Sequence, residues 1–496
     1  MLLAAAGLGL APTDQLPVTV GKASAASGGG RPNIVLIQSD DQAKNSFKPR
    51  YMPRTFRTIV RRGTKFTDAI AAPPVCCPER AGVLTGGYPH NNGVFSNHPG
   101  YGDLREPGNT LGVWLQRAGY RTGLMGKFLN GYNDVAGLKP APGFDRWFQF
   151  IRYPGYYDYR VSDQGRLALY GHRRRAYSTD VLTRRARQFI DQSSARRRPF
   201  FLWLAYKAPH GESSNFRPCK SAPSAVPPDR AAYRAVSRVP LPRPRSFNEE
   251  DVSDKPQAIQ DLARLDSNTI ERIRHTWRCG LAAVSSLDDG VGRVIAKLRD
   301  ERLLRRTIVL YLSDNGYFFG EHRRPAGKGD IYEPALNVPF AARVPAAYRN
   351  GRMASRVRAV VSNQDVAPTV LRYASRSGDH VKPCAAPGDC RRLDGRSLVP
   401  LLGGRGGWPR GRGVLVEIGT PREYEAIRTR RYVYSELTTG ERELYDLNVD
   451  PFELQNVANE ASYADVRDRL GTRLAALTNC SGIEGRDPPI AAPFCE

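Results

Sequence analysis

The chain has 496 residues, of which 41% are hydrophobic and 25% charged, a globular composition long enough for one large domain and a smaller one. No stretch is apolar for long enough to span a bilayer, so we expect no transmembrane segment. The net charge of +25 suits an acidic partner such as a sulfated polymer, although scattered arginines from a genomic bias explain it equally well. No basic run is interleaved with aromatic residues, so we expect no nucleic-acid partner.

Residues 1–30 differ from the rest of the chain. A short apolar run is followed by small residues and lacks a basic beginning, which resembles a secretory leader with its start missing. A disordered tail is the alternative. The leader predicts an exported protein, either secreted or held at the cell surface or in the periplasm.

Three short apolar runs have the pattern of strands buried on both faces: residues 32–38 (PNIVLIQ), 200–206 (FFLWLAY) and 307–313 (TIVLYLS). Helical patterns lie between them, the longest from about residue 273 to 303. Strands that alternate with helices indicate a parallel sheet covered on both faces. We therefore expect an α/β fold with a large mixed, mostly parallel sheet between helices, and a smaller C-terminal antiparallel sheet with one helix.

Two segments interrupt this pattern. Residues 211–256 are rich in Pro, Ser and Arg and are predicted to form a long, lid-like loop. Gly, Arg and Pro also concentrate at residues 401–413, which makes this stretch the best candidate for a linker. The predicted organisation is a leader or disordered segment at 1–30, a large domain at 31–404 and a small α+β subdomain at 405–496.

Six of the eight cysteines are candidates for disulfides of an exported protein. Cys384 and Cys390 close a short loop, and Cys480 and Cys495 bracket a Gly/Pro-rich tail. A third bridge, between residues 219 and 279, is compatible with the sequence, which cannot fix that connectivity. Metal binding by these cysteines is the weaker alternative, because no zinc-finger spacing occurs. Residues 76 and 77 are then left over.

Polar residues follow two of the predicted strands. Asp40 and Asp41 end the first strand, and Asp314 and Asn315 follow the strand at 307–313. Because ligands bind beyond the carboxyl ends of parallel strands, these side chains are expected to converge. Three carboxylates and an amide oxygen favour Ca²⁺, with Mg²⁺ possible. The alternative is that these residues only begin turns.

Two adjacent cysteines open a helix-like run in PPVCCPERAGVLTG, residues 73–86. Pro78 suits the first turn of a helix, whose free N–H groups and dipole favour an anion, and Arg80 adds a fixed cation. A cysteine phosphatase, a redox pair and buried core cysteines are the alternatives. The loop lacks the glycines of a phosphatase loop, adjacent thiols form only a strained bridge, and burial alone does not explain the proline and the arginine.

The pattern Cys76-Cys77-Pro78-Glu79-Arg80 resembles the C-x-P-x-R motif of type I sulfatases, the formylglycine-dependent members of the alkaline-phosphatase-like superfamily. Other stretches are similar to that family and occur in its order: VLIQSDDQ, AGVLTGGYPHNNGV, GYRTGLMGKFLNGY, APHG, LSDNGYFFGEHRRPAGKGDIYEPALNVPF and ELYDLNVDPFELQNVAN. Together they extend from about residue 32 to 459. The doubled cysteine and GKFLN are most similar to the subgroup of N-acetylglucosamine-6-sulfatases and heparan 6-O-endosulfatases.

The resemblance implies a mechanism and makes residues 31–404 the catalytic sulfatase domain. A separate formylglycine-generating enzyme would oxidise Cys76 to formylglycine (3-oxoalanine), and one hydroxyl of its hydrate would attack sulfur. The second hydroxyl would then expel sulfate, which a serine could not do. The metal with Arg80, Lys127 and Lys328 would balance the charge of the transition state, and His210 would protonate the departing oxygen.

The resemblance also suggests His90, Asn130 and His322 as substrate-binding residues. Three positions depart from the family pattern. Glu79 replaces a small residue within the motif that the maturation enzyme must accept. Leu129 and Phe318 stand where many arylsulfatases carry histidines, although the GKFLN subgroup also lacks the first of these.

Three functions therefore remain open. The first is a sulfuric ester hydrolase that acts on a sulfated sugar, a glycosaminoglycan or an aryl ester. The second is a phosphonate monoester or phosphodiester hydrolase that uses the same aldehyde. The third is a non-catalytic binder of sulfated glycans, if Cys76 is never oxidised.

Overall fold

The computed structural model describes residues 30–196, 198–212, 219, 224–375, 380–404, 406–419 and 422–496. The predicted leader at 1–30 therefore lies outside the described residues, apart from Gly30. The strands are β1 Asn33–Asp40, β2 Thr64–Ile70, β3 Arg121–Gly126, β4 Arg146–Phe150, β5 Tyr159–Asp163, β6 Arg166–Tyr170, β7 Phe200–Pro209, β8 Thr307–Ser313, β9 Phe340–Arg343, β10 Arg356–Ser362, β11 Cys384–Ala386, β12 Asp389–Cys390, β13 Gly413–Gly419, β14 Arg422–Thr429, β15 Tyr432–Leu437 and β16 Arg442–Asp446. The α-helices are α1 Pro53–Thr58, α2 Cys76–Thr85, α3 Pro89–Asn92, α4 Leu111–Arg117, α5 Tyr132–Ala136, α6 Ser178–Ser194, α7 Arg230–Arg234, α8 Gln257–Gln260, α9 Ser267–Asp300, α10 Glu333–Leu336, α11 Val366–Ala374 and α12 Ala464–Leu477.

A ten-stranded sheet runs through the large domain in the order β10-β2-β9-β8-β1-β7-β3-β4-β5-β6. The central strands β8, β1, β7, β3 and β4 are parallel. Antiparallel pairs involve β9 in the interior and the β5–β6 hairpin at one edge. The predicted mixed, mostly parallel sheet is therefore confirmed.

Both faces of the sheet are covered by helices. Along β1, Ile34 and Leu36 join an apolar cluster on one face, and Val35 and Ile37 join the cluster on the other. This explains why the strand is apolar at consecutive positions, since successive side chains point to opposite faces. Helices α2, α4 and α11 contribute to the first cluster, and α1, α6 and α9 to the second.

The C-terminal region contains the smaller sheet that the sequence predicts. Strands β13 to β16 pair antiparallel in chain order, and α12 follows them. The apolar side chains of this sheet pack in one cluster with residues of the large domain such as Ile331 and Leu336. Residues 31–496 form one unit, and the boundary near residue 404 remains a prediction.

The six cysteines proposed for disulfides are all paired. The bridges are Cys219–Cys279, Cys384–Cys390 and Cys480–Cys495. Cys76 and Cys77 are free, as the sequence predicts, and both are buried. Within the described ranges, none of the helices combines the length and apolarity needed to cross a membrane.

Candidate active site

The ends of β1 and β8 bring four polar residues together. These two strands are parallel neighbours with Ser39 opposite Ser313, so the residues that follow leave the sheet at the same level. The backbone N–H of Asp41 donates to Oδ1 of Asp314 at 3.0 Å, and the side-chain amide of Asn315 donates to Oδ1 of Asp41 at 2.7 Å. Asp41 has a φ of 60°, which turns the chain sharply after the strand.

This group has the donor set of a hard divalent cation. Asp40, Asp41 and Asp314 are buried carboxylates, and the side-chain oxygen of Asn315 is buried without a hydrogen-bond partner. A buried acceptor without a donor is uncommon, and a cation that binds it would satisfy it. Burial, followed by the charge of Asp40, raises the pKa of Asp314 to about 6, which also indicates that positive charge is needed here. The residues fit Ca²⁺ or Mg²⁺.

Cys76 is the first residue of helix α2 and faces this group. Its thiol lies 3.4 Å from Oδ1 of Asp40, and the Lys328 ammonium donates to the sulfur at 2.9 Å. Burial raises the pKa of the Cys76 thiol despite the nearby lysines. A thiolate nucleophile needs the opposite shift.

Three cations surround Cys76 and pair with the carboxylates. Arg80 donates to Oδ2 of Asp314 from Nε and Nη2, at 3.1 and 2.8 Å. Lys127 donates to Oδ2 of Asp40 at 2.6 Å, and Lys328 pairs with Asp41. Burial alone would raise the pKa of Asp40, but Lys127, His210 and Arg80 outweigh it and lower that pKa well below its ordinary value. We call these residues the cleft floor: Asp40, Asp41, Cys76, Arg80, Lys127, Asp314, Asn315 and Lys328.

His210 lies beside the floor and is only one-third exposed. Its Nδ1 lies 2.6 Å from the carbonyl oxygen of Gly211, and its Nε2 lies 3.7 Å from Oδ2 of Asp41. We assign the proton to Nδ1, because a carbonyl can only accept. Burial lowers the pKa of His210 to about 4, although Asp41 and Asp40 oppose that shift.

The floor opens into a cleft with a volume of about 920 Å³. Cys76, Lys127, His210 and Lys328 all line it, and so does Asn130. No motif in the sequence predicts the outer lining, which comes from loops and from α5, β4 and β7: Asn97, His98, Asn133, Asp134, Gln149, Arg152, Tyr153, Tyr157, Lys207 and Glu212.

The structure places two predicted substrate-binding residues away from the cleft lining. The Nδ1 of His90 lies 2.9 Å from Oε2 of Glu417 in β13, and its Nε2 lies 2.8 Å from the carbonyl oxygen of Cys480. His322 is fully buried, with Nδ1 2.7 Å from Oε2 of Glu249. Both lie within the matched motifs, but their ring nitrogens face the C-terminal region or the 249–255 segment.

Of the three departures from the family pattern, Leu129 lines the cleft, whereas Glu79 and Phe318 lie outside its lining. Glu79 is fully buried, and its Oε2 accepts from the side-chain amide of Gln38 in β1 at 2.7 Å. Leu129 belongs to the apolar cluster beneath α2, and Phe318 to the cluster of the C-terminal sheet. The Cys77 side chain is likewise buried, while its backbone N–H donates to the side-chain oxygen of Asn97 at 2.9 Å.

Comparison with known proteins gives a consistent result. The family model described as Sulfatase matches residues 32–375, and the model described as N-sulphoglucosamine sulphohydrolase, C-terminal, matches residues 320–480. An arylsulfatase of Volvox carteri is 33% identical over 509 residues, which cover 94% of this chain and 77% of that protein. The N-acetylglucosamine-6-sulfatase of Homo sapiens is 28% identical over 515 residues, which cover 94% and 88% of the two chains.

A putative extracellular sulfatase Sulf-1 homolog of Caenorhabditis elegans is 32% identical over 377 residues, 75% of this chain. The chain spans about half of that relative, 49% of its length. Two solved structures share the fold. One is a protein in complex with its substrate D-glucosamine-2-N,6-O-disulfate, with a TM-score of 0.71, 23% identity and coverage of 90% and 97%. The other is the phosphonate monoester hydrolase of Agrobacterium radiobacter, with a TM-score of 0.62, 22% identity and coverage of 90% and 95%.

Proposed function

The chain belongs to the sulfatase family of sulfuric ester hydrolases, and we propose that it removes a 6-O-sulfate from a glucosamine residue of a sulfated glycan. One observation carries this proposal. Cys76 of the C-x-P-x-R motif starts helix α2 at the bottom of a large cleft, between three carboxylates and three cations. The three cations would balance the negative charge of an anionic substrate that approaches a nucleophile at this position.

The side chains of the floor divide this work. The ammonium groups of Lys127 and Lys328 line the cleft and would hold the sulfate oxygens, and Arg80 fixes the orientation of Asp314 by two hydrogen bonds. When bound, a Ca²⁺ held by Asp40, Asp41, Asp314 and Asn315 would polarise the sulfate, and formylglycine at position 76 would supply a hydrated aldehyde as the nucleophile.

His210 is the candidate acid for the departing oxygen. Its Nε2 faces the cleft floor, so the proton that Nε2 carries in the imidazolium lies close to the space that the sulfate ester would occupy. Burial lowers the pKa of the free imidazole to about 4. A bound sulfate ester opposes that shift, because a negative charge near the ring favours the imidazolium.

The relatives support the sugar substrate. Several of those with high coverage are N-acetylglucosamine-6-sulfatases, and a neighbour in fold binds a 6-O-sulfated glucosamine. The cleft is at the upper end of the roughly 300–1,000 Å³ typical of small-molecule sites, so it has room for more than one sulfate group. The net charge of +25 suits a polyanionic glycan.

Three disulfides and the name of the nematode relative support an exported protein, secreted or held at the cell surface or in the periplasm. Maturation would then require a formylglycine-generating enzyme as a partner. We test the maturation by mass spectrometry of the peptide that spans Cys76 to Arg80, from protein produced in its native host. Formylglycine at position 76 is the expected result, and an unmodified thiol would leave only the glycan-binding alternative.

Assays of the matured protein also distinguish a sulfatase from a phosphonate monoester hydrolase. Three substrates are compared under one set of conditions: N-acetylglucosamine 6-sulfate, 4-nitrophenyl sulfate and the phosphonate monoester 4-nitrophenyl phenylphosphonate. We expect the highest kcat/KM with the sulfated sugar. A preference for the phosphonate by orders of magnitude would instead support the phosphonate monoester hydrolase, whose fold this chain shares.

A further inference from the structure

The outer part of the cleft carries an aromatic side chain that the reaction at the floor does not use. Tyr153 is 74% exposed, the highest value among the exposed large hydrophobic residues of the described chain. It nevertheless lines the cleft that contains Cys76. Exposed aromatic surface costs free energy in water, and within a cleft it commonly marks a binding site.

The ring of Tyr153 is held in place rather than free to rotate. Its hydroxyl forms a 2.5 Å hydrogen bond with Nε2 of His98, and the two ring centroids are 6.1 Å apart. The neighbouring Arg152, with a φ of 54°, donates to Oδ1 of Asp134 at 3.1 Å. Tyr153 and His98 therefore form a pair of rings on adjoining loops, and we call this pair the ring platform.

Hydrogen bonds tie both loops of the ring platform to residues beside the cleft floor. On one side, Asn97 accepts from the backbone N–H of Cys77 at 2.9 Å, next to the nucleophile position. On the other side, Tyr156, three residues after Tyr153, donates its hydroxyl to the carbonyl of His210 at 3.1 Å. The platform thus has a fixed position relative to Cys76 and to the candidate acid His210.

The cleft also contains polar side chains that suit hydroxyl-bearing ligands. The side-chain amides of Asn133 and Gln149 bond each other reciprocally at 3.1 Å, and both line the cleft. An aromatic face beside amide donors and acceptors is what a sugar ring requires, since it has apolar C–H faces and a rim of hydroxyls. A sulfate group alone needs neither.

We propose that the ring platform binds the sugar residue next to the sulfated one, so that the substrate is an oligosaccharide or polysaccharide rather than a monosaccharide. This inference rests on the proposed function and deepens it. It makes Tyr153 a residue that determines specificity by chain length, and it leaves the sulfate chemistry to the floor.

The test compares two substrates that share one sulfated residue. The probes are N-acetylglucosamine 6-sulfate and a tetrasaccharide that carries the same 6-sulfated residue. For the wild type we expect a higher kcat/KM with the tetrasaccharide. Tyr153→Ala is expected to reduce the ratio of the two kcat/KM values about tenfold, mainly through the KM of the tetrasaccharide, which corresponds to about 1.4 kcal/mol.

Two further variants test whether loss of the aromatic ring causes the expected effect of Tyr153→Ala on the ratio. Tyr153→Phe keeps the ring and loses the bond to His98, so it should retain most of the preference. Leu169→Ala removes a side chain of similar exposure on β6, outside the cleft lining, and should leave the ratio at the wild-type value.

Equal effects of Tyr153→Ala on both substrates, or no effect on either, would overturn the inference. Its failure can be distinguished from failure of the proposed function. If the matured protein hydrolyses no sulfate ester, calorimetric Kd values for the tetrasaccharide still test the platform, and equal affinity of wild type and Tyr153→Ala would reject it. If aryl sulfate is hydrolysed and neither sugar binds or reacts, the sugar assignment itself is wrong.

Discussion

The molecule contains two buried clusters of charged side chains with very different surroundings. In the cleft floor, three cations meet three carboxylates beneath an open cleft. The second, which we call the acidic cluster, lies where the C-terminal sheet meets the large domain; Glu249, His322, Glu443 and Glu453 are buried, and Glu333 is partly buried. None of these residues lines the cleft.

The electrostatic balance of the two clusters differs as well. At the floor, Lys127, His210 and Arg80 outweigh the burial of Asp40 and lower its pKa. In the acidic cluster, burial raises the pKa of Glu443 to about 7, although two tyrosine hydroxyls donate to it. Buried charge therefore does not identify an active site. Access to a cleft does, since buried cations also occur in the acidic cluster, where Lys255 pairs with Glu249 and Arg428 with Glu333.

The largest effect is expected from the nucleophile position. Cys76→Ala should lower kcat by about 10⁴-fold or more, because alanine can be neither oxidised to an aldehyde nor act as a nucleophile. Cys77→Ala is the matched control, since this neighbouring thiol is buried 3.9 Å from the carbonyl oxygen of Asn130, and it should keep activity within a few-fold of wild type. Circular dichroism and steady-state assays check both. Loss of all activity in Cys77→Ala would bring back a dithiol mechanism.

A lysine of the floor should have the next largest effect. Lys328→Ala removes a cation beside the Cys76 sulfur, and kcat for the sulfate ester is expected to fall roughly 10²–10³-fold. Lys297→Ala, which breaks ion pairs with Asp191 and Glu301 on the surface, is the control and should leave kcat close to wild type. A decrease of less than threefold in Lys328→Ala would contradict the role of the floor in binding sulfate.

The sequence predicts the floor better than the wall of the cleft, for a physical reason. Asp40 and Asp314 end apolar strands, and the register of parallel neighbours brings strand ends to one edge. Tyr153 and His98 lie on loops whose meeting depends on long-range packing, and no local pattern encodes that. Of the ten strands in the large sheet, the sequence predicts β1, β7 and β8, and it does not predict the other seven, many of which are short and give weak periodicity.

The acidic cluster should reveal itself in the pH dependence of stability. The folded-state pKa of Glu443 is raised to about 7 from an ordinary value near 4.5, so its contribution to stability is fully present below pH 4.5 and is lost as pH rises to about 7. Glu443→Gln keeps an acceptor for Tyr332 and Tyr445 without the charge. It should match wild type near pH 4 and exceed it by about 3 kcal/mol at pH 8.

Urea unfolding at pH 4, 6 and 8 measures this difference. Glu436→Gln, at a half-exposed position on β15, is the control and should show no such dependence on pH. If the free energies of unfolding of Glu443→Gln and wild type differ by the same amount at all three pH values, ionisation of Glu443 does not destabilise the folded protein.

The smallest effect concerns His90, which the family resemblance suggests as a substrate-binding residue and the structure places against Glu417 and the carbonyl of Cys480. Burial alone would lower the pKa of His90, but the hydrogen bond and charge of Glu417 outweigh it and raise that pKa. Its stabilising contribution is therefore complete below its ordinary pKa near 6.5 and is lost as pH rises through the higher folded-state value.

His90→Ala should consequently lower the free energy of unfolding by about 1–2 kcal/mol at pH 6 and by less at pH 8. The KM for the sulfated sugar should stay within about twofold of wild type, whereas His210→Ala should lower kcat at either pH. If His90→Ala instead raises KM and leaves the free energy of unfolding unaltered, His90 binds substrate, as the motif suggests. It would then not stabilise the fold through its contacts to Glu417 and Cys480.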